Sequence, residues 1–319
     1  MNRSRAASGR SSVGADLLLM AVAASWGSTY WVAKELLEGG DVLGMLSVRM
    51  LSTAALLGML LVIGRRAPSR PSMRLGMIYG LMLSTVFVLE TFGIAHTSAT
   101  NAGLIISLTI VFTPLLEALV TRTRPSRTFV LGSVAALLGI VLLSMNGRLT
   151  APALGDWLIL GAAVARAVHV TVVKRSSAQH AVDDLSLTFW QMLTCAGVFT
   201  GLAVLTGGSP LRYLSAMDGA DSLRMVYLVV VCTVFPFFVQ MWAVRRTSAS
   251  RVSLLLGTEP VYAALIGVTL AGDRLKPIGW IGLGIVLISV LTVQILTTRR
   301  SRRSRPGETR RRARRAPAR

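Results

Sequence analysis

Acidic side chains are scarce in this sequence, with 14 Asp and Glu among 319 residues against 34 Lys and Arg. Charged residues of both signs make up 15% of the chain, well below the roughly 25% of an ordinary soluble domain. So few charges cannot cover a water-facing surface, which excludes a soluble globular domain. Cysteine is almost absent as well. Cys195 and Cys232 stand alone inside apolar runs, outside any CxxC or Cys/His cluster, so neither a disulfide framework nor a metal site is implied. Also missing are the phosphate-binding loop GxxxxGK, the zinc motif HExxH and the nucleophile elbow GxSxG. No enzyme is indicated, no cofactor is called for, and a nucleotide-driven pump has no site in this chain.

What is present in quantity is hydrocarbon. Apolar residues reach 53% and mean hydropathy is +0.62, in long runs separated by short Arg-rich punctuation, which is the membrane pattern. At the N-terminus Arg3, Arg5 and Arg10 precede LLLMAVAAS, which resembles a signal peptide. The apolar run continues through Trp26, Tyr30 and Trp31 to about Leu37, so it reads as a first transmembrane helix.

A spanning helix needs about 20 mostly apolar residues, because the hydrocarbon layer is about 30 Å thick and the rise is about 1.5 Å per residue. Ten spans are predicted, near 15–36, 42–64, 74–95, 99–121, 128–146, 154–174, 185–206, 222–244, 248–271 and 278–297. The run from 74 to 121 is too long to cross once and must turn at AHTSAT. With the N-terminus in the cytoplasm, 14 basic residues fall inside and 6 outside, before the C-terminal tail is counted. The positive-inside rule therefore puts both termini in the cytoplasm of a plasma-membrane protein.

A net charge of +20 suggests nucleic acid until its distribution is examined. Eleven of the 34 basic residues lie in the tail RRSRRSRPGETRRRARRAPAR from Arg299 onward. That tail has no apolar periodicity, is expected to be disordered, and suits the anionic lipid of the cytoplasmic leaflet rather than nucleic acid.

Self-comparison reveals a repeat. TSATNAGLIISL from Thr97 is similar to TSASRVSLLLGT from Thr247, 150 residues on. At the same offset Glu90 falls on Gln240. RMLSTAA from Arg49 parallels QMLTCAG from Gln191, and Lys34 parallels Lys174, which sets Trp26 opposite Arg166 and Thr29 opposite His169. Five spans per half is an odd number, so the second half enters the membrane inverted, as in secondary transporters. The fold class predicted is an all-α membrane protein of ten transmembrane helices in two inverted five-helix repeats. Residues 1–14 form an N-terminal tail, 15–146 the first repeat, 147–153 a linker, 154–297 the second repeat and 298–319 the basic tail.

WGSTYWVAK in the first span, the Arg49 segment in the second and SATNAGLIISLTIVFTPLLEAL in the fourth carry a resemblance to the EamA-type members of the drug/metabolite transporter superfamily. TSASRVSLLLGTEPVYAALIG and AGDRLKPIGWIGLGIVLIS carry it in the second half, and together they cover roughly 15–297. The family often has Gly-Glu where this chain has Gly272-Asp273, and an aromatic residue is common in the place of Arg166. The resemblance implies transport of amino acids, other metabolites or amphipathic drugs.

Charges within a span cost roughly 2.5–3.5 kcal/mol each on insertion scales, so they mark pairs or pathways. Arg49, Glu90, Arg166 and Glu259 lie well inside spans, with Gln191 and Gln240 as neutral counterparts of Arg49 and Glu90. Glu90 is the leading candidate for carrying a proton, and an ion pair with Arg49 or Arg166 is its alternative role. His169 lies one turn after Arg166 on the same face, where the two suit an anionic group or a proton relay; a satisfied interior histidine is the alternative. Trp26 is a cavity candidate, whereas Tyr30 and Trp31 fit an interfacial belt. Pro114 and Pro260 are expected to kink the fourth and ninth spans, and Gly80, Gly103, Gly132, Gly282 and Gly284 to allow close packing.

The function expected is secondary active export of a small metabolite or drug-like solute by alternating access, driven by the proton gradient through the central acids or by the solute's own gradient. Exchange of anionic or phosphorylated solutes at Arg49 and Arg166 is a second reading. A non-transport intramembrane protein is a third.

Overall fold

A computed structural model describes residues 3–65, 69–122, 127–145, 152–177, 183–237, 239 and 255–304. Among them there is no strand. The helices are α1 (Arg3–Leu36), α2 (Val42–Ile63), α3 (Arg70–Ala95), α4 (Ala99–Ile106), α5 (Thr109–Thr121) and α6 (Arg127–Met145), then α7 (Leu154–Ser177), α8 (Asp184–Leu205), α9 (Pro210–Ala216), α10 (Gly219–Val229), α11 (Glu259–Thr269) and α12 (Pro277–Ser304). Six helical segments among the described residues are long and apolar enough to cross a membrane: Val42–Ile63, Arg70–Ala95, Ala99–Val120, Leu154–Val173, Asp184–Leu205 and Gly219–Phe237. Their outward residues, such as Val62, Ile63, Leu81 and Leu205, are exposed. Water would not tolerate that surface, whereas lipid tails do.

Helix ends are where the backbone runs out of partners. Asp41, Ser69, Ser98, Asp183 and Asp218 cap α2, α3, α4, α8 and α10 by accepting from the N–H three residues on. Hydroxyls inside the spans are satisfied on their own helix: Ser47 donates to Leu43 O, Thr53 to Arg49 O, Ser84 to Gly80 O and Thr171 to Ala167 O.

Elements from the two halves of the sequence pack on each other. α2 lies on α8, α3 on α7 and α8, α1 on α11, α4 and α5 on α7, and α6 on α12. Glycines set the closest approaches. A Cβ on Gly27 would meet Tyr262 Cβ at 2.7 Å and Ala263 N at 2.8 Å, and one on Gly103 would collide with Ala263 Cβ and crowd the Tyr30 ring. Gly80 lies against Thr194 and Gln191 O in the same way, but a Cβ on Gly284 meets nothing. Close packing therefore does not explain Gly284.

Two helices are interrupted at corresponding points. Between α4 and α5 the chain turns at Ser107–Leu108, with Leu108 N–H donating to Ile105 O at 3.1 Å. At Gly257–Thr258, 150 residues on, Thr258 N–H donates to Leu255 O at 3.2 Å just before α11. Hydroxyls take over carbonyls at both turns: Ser107 Oγ donates to Leu104 O, Thr109 Oγ1 to Ile106 O and Thr258 Oγ1 to Leu255 O. The interruption in the fourth span thus precedes Pro114, which lies within α5. Pro260 occupies the first turn of α11, where its missing N–H costs nothing.

A further irregularity is a π-turn, Val230–Val234, that continues α10. α9 is a short helix between the seventh and eighth spans that no apolar run announces. The helix of α12 continues through Arg299 and Arg300 to Ser304, so the first part of the basic tail is helical; Arg is a good helix former and simply extends the turn. Residues 305–319 lie outside the described residues.

Replacing Gly103 with Leu should force apart α1, α4 and α11. Overpacking of this kind costs about 1–3 kcal/mol, read as a lower thermal midpoint in detergent. Gly284→Ala should leave the midpoint unchanged.

Candidate solute and coupling site

Helices α1, α2, α3, α7 and α11 each bring one ionisable side chain to a common region beside the two interruptions. Glu90, on α3, is 5% exposed and accepts from Arg166 Nη2 of α7 at 3.5 Å. Of the two ion-pair partners that the sequence offers Glu90, the one used is Arg166. The Arg166 side chain keeps 30% of its surface accessible, against 7% for Glu90. An arginine inside a span with that much free side-chain surface, tied to a buried acid, suits a polar space rather than lipid.

Glu259, the first residue of α11, is partly exposed and accepts from the Tyr30 hydroxyl of α1 at 2.7 Å. Among the described residues no cation lies within ion-pair distance of it, although Arg166 is within electrostatic reach. Tyr30 is 2% exposed and belongs to this cluster, not to an interfacial belt. Trp31 is partly exposed and donates from Nε1 to Glu35 at 3.2 Å, as a belt position would. Trp26 lies one turn before Tyr30 on the same face and keeps part of its surface accessible.

Arg49, 5% exposed on α2, interacts electrostatically with Glu90, Arg166 and Tyr30. Its Nη2 donates to Thr233 Oγ1 at 3.2 Å and its guanidinium lies 5.3 Å from the centre of the Phe87 ring. Its Nε is buried without a partner, and no described carboxylate is within ion-pair distance. Thr233 sits in the π-turn and donates to Leu228 O five residues back. The turn thereby aims a hydroxyl at Arg49, and neither Thr233 nor Phe87 is flagged by the sequence, because a π-turn has no residue signature. Cys232, in the same turn, donates to Ser25 O of α1 at 3.2 Å.

His169 and Arg166 share a face of α7 but serve different neighbours. Gln191 Nε2 of α8 donates to His169 Nε2 at 3.0 Å, and Tyr79 packs edge-on against the imidazole at 6.3 Å. The structure thus brings Glu90 with Arg166 and His169 with Gln191, while Gln240 lies outside the described residues. Thr109, the counterpart of Glu259, donates to Ile106 O and Ala163 O, so the first interruption carries a hydroxyl where the second carries an acid.

The EamA-like transporter family matches the chain twice, over residues 13–145 and 153–295. Across 87% of its length the chain is 27% identical to YedA of Escherichia coli, named an "Uncharacterized inner membrane transporter", covering 89% of that protein. An "Uncharacterized transporter" of Archaeoglobus fulgidus is 25% identical over 88% of this chain and 86% of its own length. A "Probable terminal-alkyne amino-acid exporter" of Streptantibioticus cattleyicolor is 24% identical over 91% of this chain and 96% of its own. A solved crystal structure superposes with a TM-score of 0.60 at 19% identity, over 90% of this chain and 98% of that one, which shows a shared fold.

Removing one member of a buried ion pair costs about 3–5 kcal/mol, and removing both costs much less. Glu90→Leu should therefore destabilise the protein by that order, and adding Arg166→Leu should recover most of the loss. A double-mutant cycle on unfolding in detergent measures the coupling, and additive losses would break the assignment.

Proposed function

The chain belongs to the EamA-like transporter family, and on that premise we propose that it is a secondary carrier exporting a small zwitterionic metabolite of amino-acid type, coupled to protons. The observation that carries this reading is one patch of buried and half-buried charge placed beside two helix interruptions. Interrupted helices inside a membrane expose backbone only where it lines a site. Here the patch gathers Glu90 and Arg166, Arg49 and Glu259, two acids and two bases. The first two are paired, which leaves one cation, Arg49, and one anion, Glu259, without an ion-pair partner among the described residues. A solute with a carboxylate and an ammonium complements that remainder, and the amino-acid exporter among the relatives agrees with it.

Ten spans in two inverted repeats supply the frame. Packing supports it: α2 on α8 and α6 on α12 join corresponding spans, and α1 on α11 corresponds to α7 on α4 and α5 when the halves are exchanged. Both termini are placed in the cytoplasm, and the basic tail lies against anionic lipid.

Glu259 is assigned the proton, in preference to Glu90. Glu90 is held by a guanidinium, whereas Glu259 is held only by a neutral hydroxyl and keeps accessible surface. Exchange of anionic solutes at Arg49 and Arg166 is less favoured, since Arg166 is already neutralised by Glu90.

In proteoliposomes, an amino-acid screen should find a solute whose flux rises with an imposed pH gradient. Glu259→Gln should remove that acceleration, by tenfold or more, while solute-for-solute counterflow persists. An unchanged gradient response in Glu259→Gln would exclude it as the coupling group.

A further inference from the structure

At the end of the bundle where α1 finishes, a set of polar contacts converges on the short segment Thr97–Asn101, where the fourth span begins. Three separate elements grip that segment. From α1, Lys34 Nζ donates to Thr97 O at 2.6 Å. From the start of α7, Asp156 Oδ1 accepts from Thr97 Oγ1 at 2.5 Å and from Asn101 Nδ2 at 3.2 Å. From the connection between α11 and α12, Asp273 Oδ2 accepts from Thr100 N at 2.8 Å.

Each grip is itself anchored. Asp156 is 5% exposed, and its Oδ2 accepts from Ala153 N at 3.0 Å. Asp273 N donates to Gly267 O at 3.0 Å, and Gly272 before it has φ +68°, a conformation that glycine adopts without strain. One residue after Lys34, Glu35 pairs with Arg224 of α10 at 3.0 Å, so the same end of α1 is also tied to the eighth span. The contacts stand about five turns of α1 from Asp16 and on the far side of the Tyr30–Glu259 pair from it.

The sequence repeats the parts. The offset of 140 that carries Lys34 to Lys174 also carries Asp16 to Asp156, and the offset of 150 carries Thr97-Ser98-Ala99 to Thr247-Ser248-Ala249. A lysine at the end of one first span, an aspartate at the start of the other, and a Thr-Ser-Ala run are therefore an element of the repeat. Packing alone would not require both charges to recur with the segment they hold.

We propose that Lys34 and Asp156 are gate residues of the transport cycle: together they clamp Thr97–Asn101, and the clamp must release before the central charged patch opens toward that end. The proposal rests on the transporter reading, and residue by residue it concerns a different set of side chains from the solute and coupling site. Its chemistry is reversible by design, because every bond in it can be exchanged for a bond to water once the end opens.

The test reads access rather than flux. Ser107, in the interruption and buried in this conformation, is replaced by Cys in a full-length chain whose Cys195 and Cys232 are changed to Ser. A membrane-impermeant maleimide is applied to intact cells and to inverted membrane vesicles, which present opposite faces. With the clamp intact, labelling from the cell exterior should be slow. Lys34→Gln with Asp156→Asn should raise the exterior rate at least tenfold and lower the rate in inverted vesicles, and Lys34→Arg should stay slow because it keeps a donor to Thr97 O. An unchanged exterior rate overturns the proposal. So does an equal rise from both faces in protein that retains its melting midpoint, which would make the contacts merely structural. Should the double variant fail to fold, Lys34→Gln alone is read by the same criteria. Flux is measured separately: a label that responds as expected with no solute moved keeps the gate and loses the carrier, and flux with an unresponsive label does the reverse.

Discussion

A peptide group in hydrocarbon has no water to bond, and leaving it unpaired costs several kcal/mol. That constraint orders most of what is seen here. It makes the described spans helical, puts capping Asp and Ser at their starts, and turns the hydroxyls of Ser47, Thr53, Ser84 and Thr171 back onto their own backbones. It also gives meaning to the places where the pattern is broken. The turns at Ser107–Leu108 and Gly257–Thr258, and the π-turn at Val230–Val234, each free or displace backbone groups. At each of them a side-chain hydroxyl takes up a carbonyl, and next to them stand the charges. Irregular backbone and buried charge occur together because both need the same shelter.

The frame is close to symmetric in its packing, but the chemistry on it is not. Arg49 has Gln191 as its counterpart, Glu90 has Gln240, Trp26 has Arg166 and Thr109 has Glu259. The differences combine rather than scatter. Arg166 of the second half neutralises Glu90 of the first, and Tyr30 of the first holds Glu259 of the second. One asymmetric patch is thus assembled from two halves that each lack part of it. In the proposed carrier, a duplicated frame moves symmetrically while one mixed site takes a solute with two unlike ends.

How much of this was legible beforehand depends on what each feature's signal is. Apolar runs are long and composition-driven, so most helices stand where the hydropathy places them. Span charges are rare, so Glu90, Arg166, Arg49 and Glu259 could be singled out by type alone, and the Glu90 partner was one of two named. Tyr30 was misplaced because an aromatic residue near a helix end looks the same in sequence whether it faces headgroups or a buried acid. Pro114 drew attention away from the real interruption, since nothing in Ser107-Leu108 marks a turn until the hydroxyls of Ser107 and Thr109 are seen holding the carbonyls. Thr233 and the π-turn had no signal at all. Composition predicts a disordered basic tail from residue 298, and α12 carries its helix on to Ser304 within it.

The polar character of the Thr97–Asn101 contacts suits the gate proposed for them. Its two end states must differ by only a few kcal/mol, or one would never be populated. An apolar seal would expose its whole surface to water on opening, at about 25 cal/mol for each Å² uncovered. Hydrogen bonds to charged groups contribute about 1.5–3 kcal/mol net each, and when they break, water replaces most of what is lost. Lys34 to Thr97 O, Asp156 to Thr97 and Asn101, and Asp273 to Thr100 N are bonds of that kind. The apolar packing deeper in the bundle, where Gly27, Gly103 and Ala263 meet, can then persist as a fulcrum while the end above it opens. In the proposed cycle, a seal of bonds over a fulcrum of close packing lets one chain be both rigid enough to hold a charged site in lipid and loose enough to turn it toward either side.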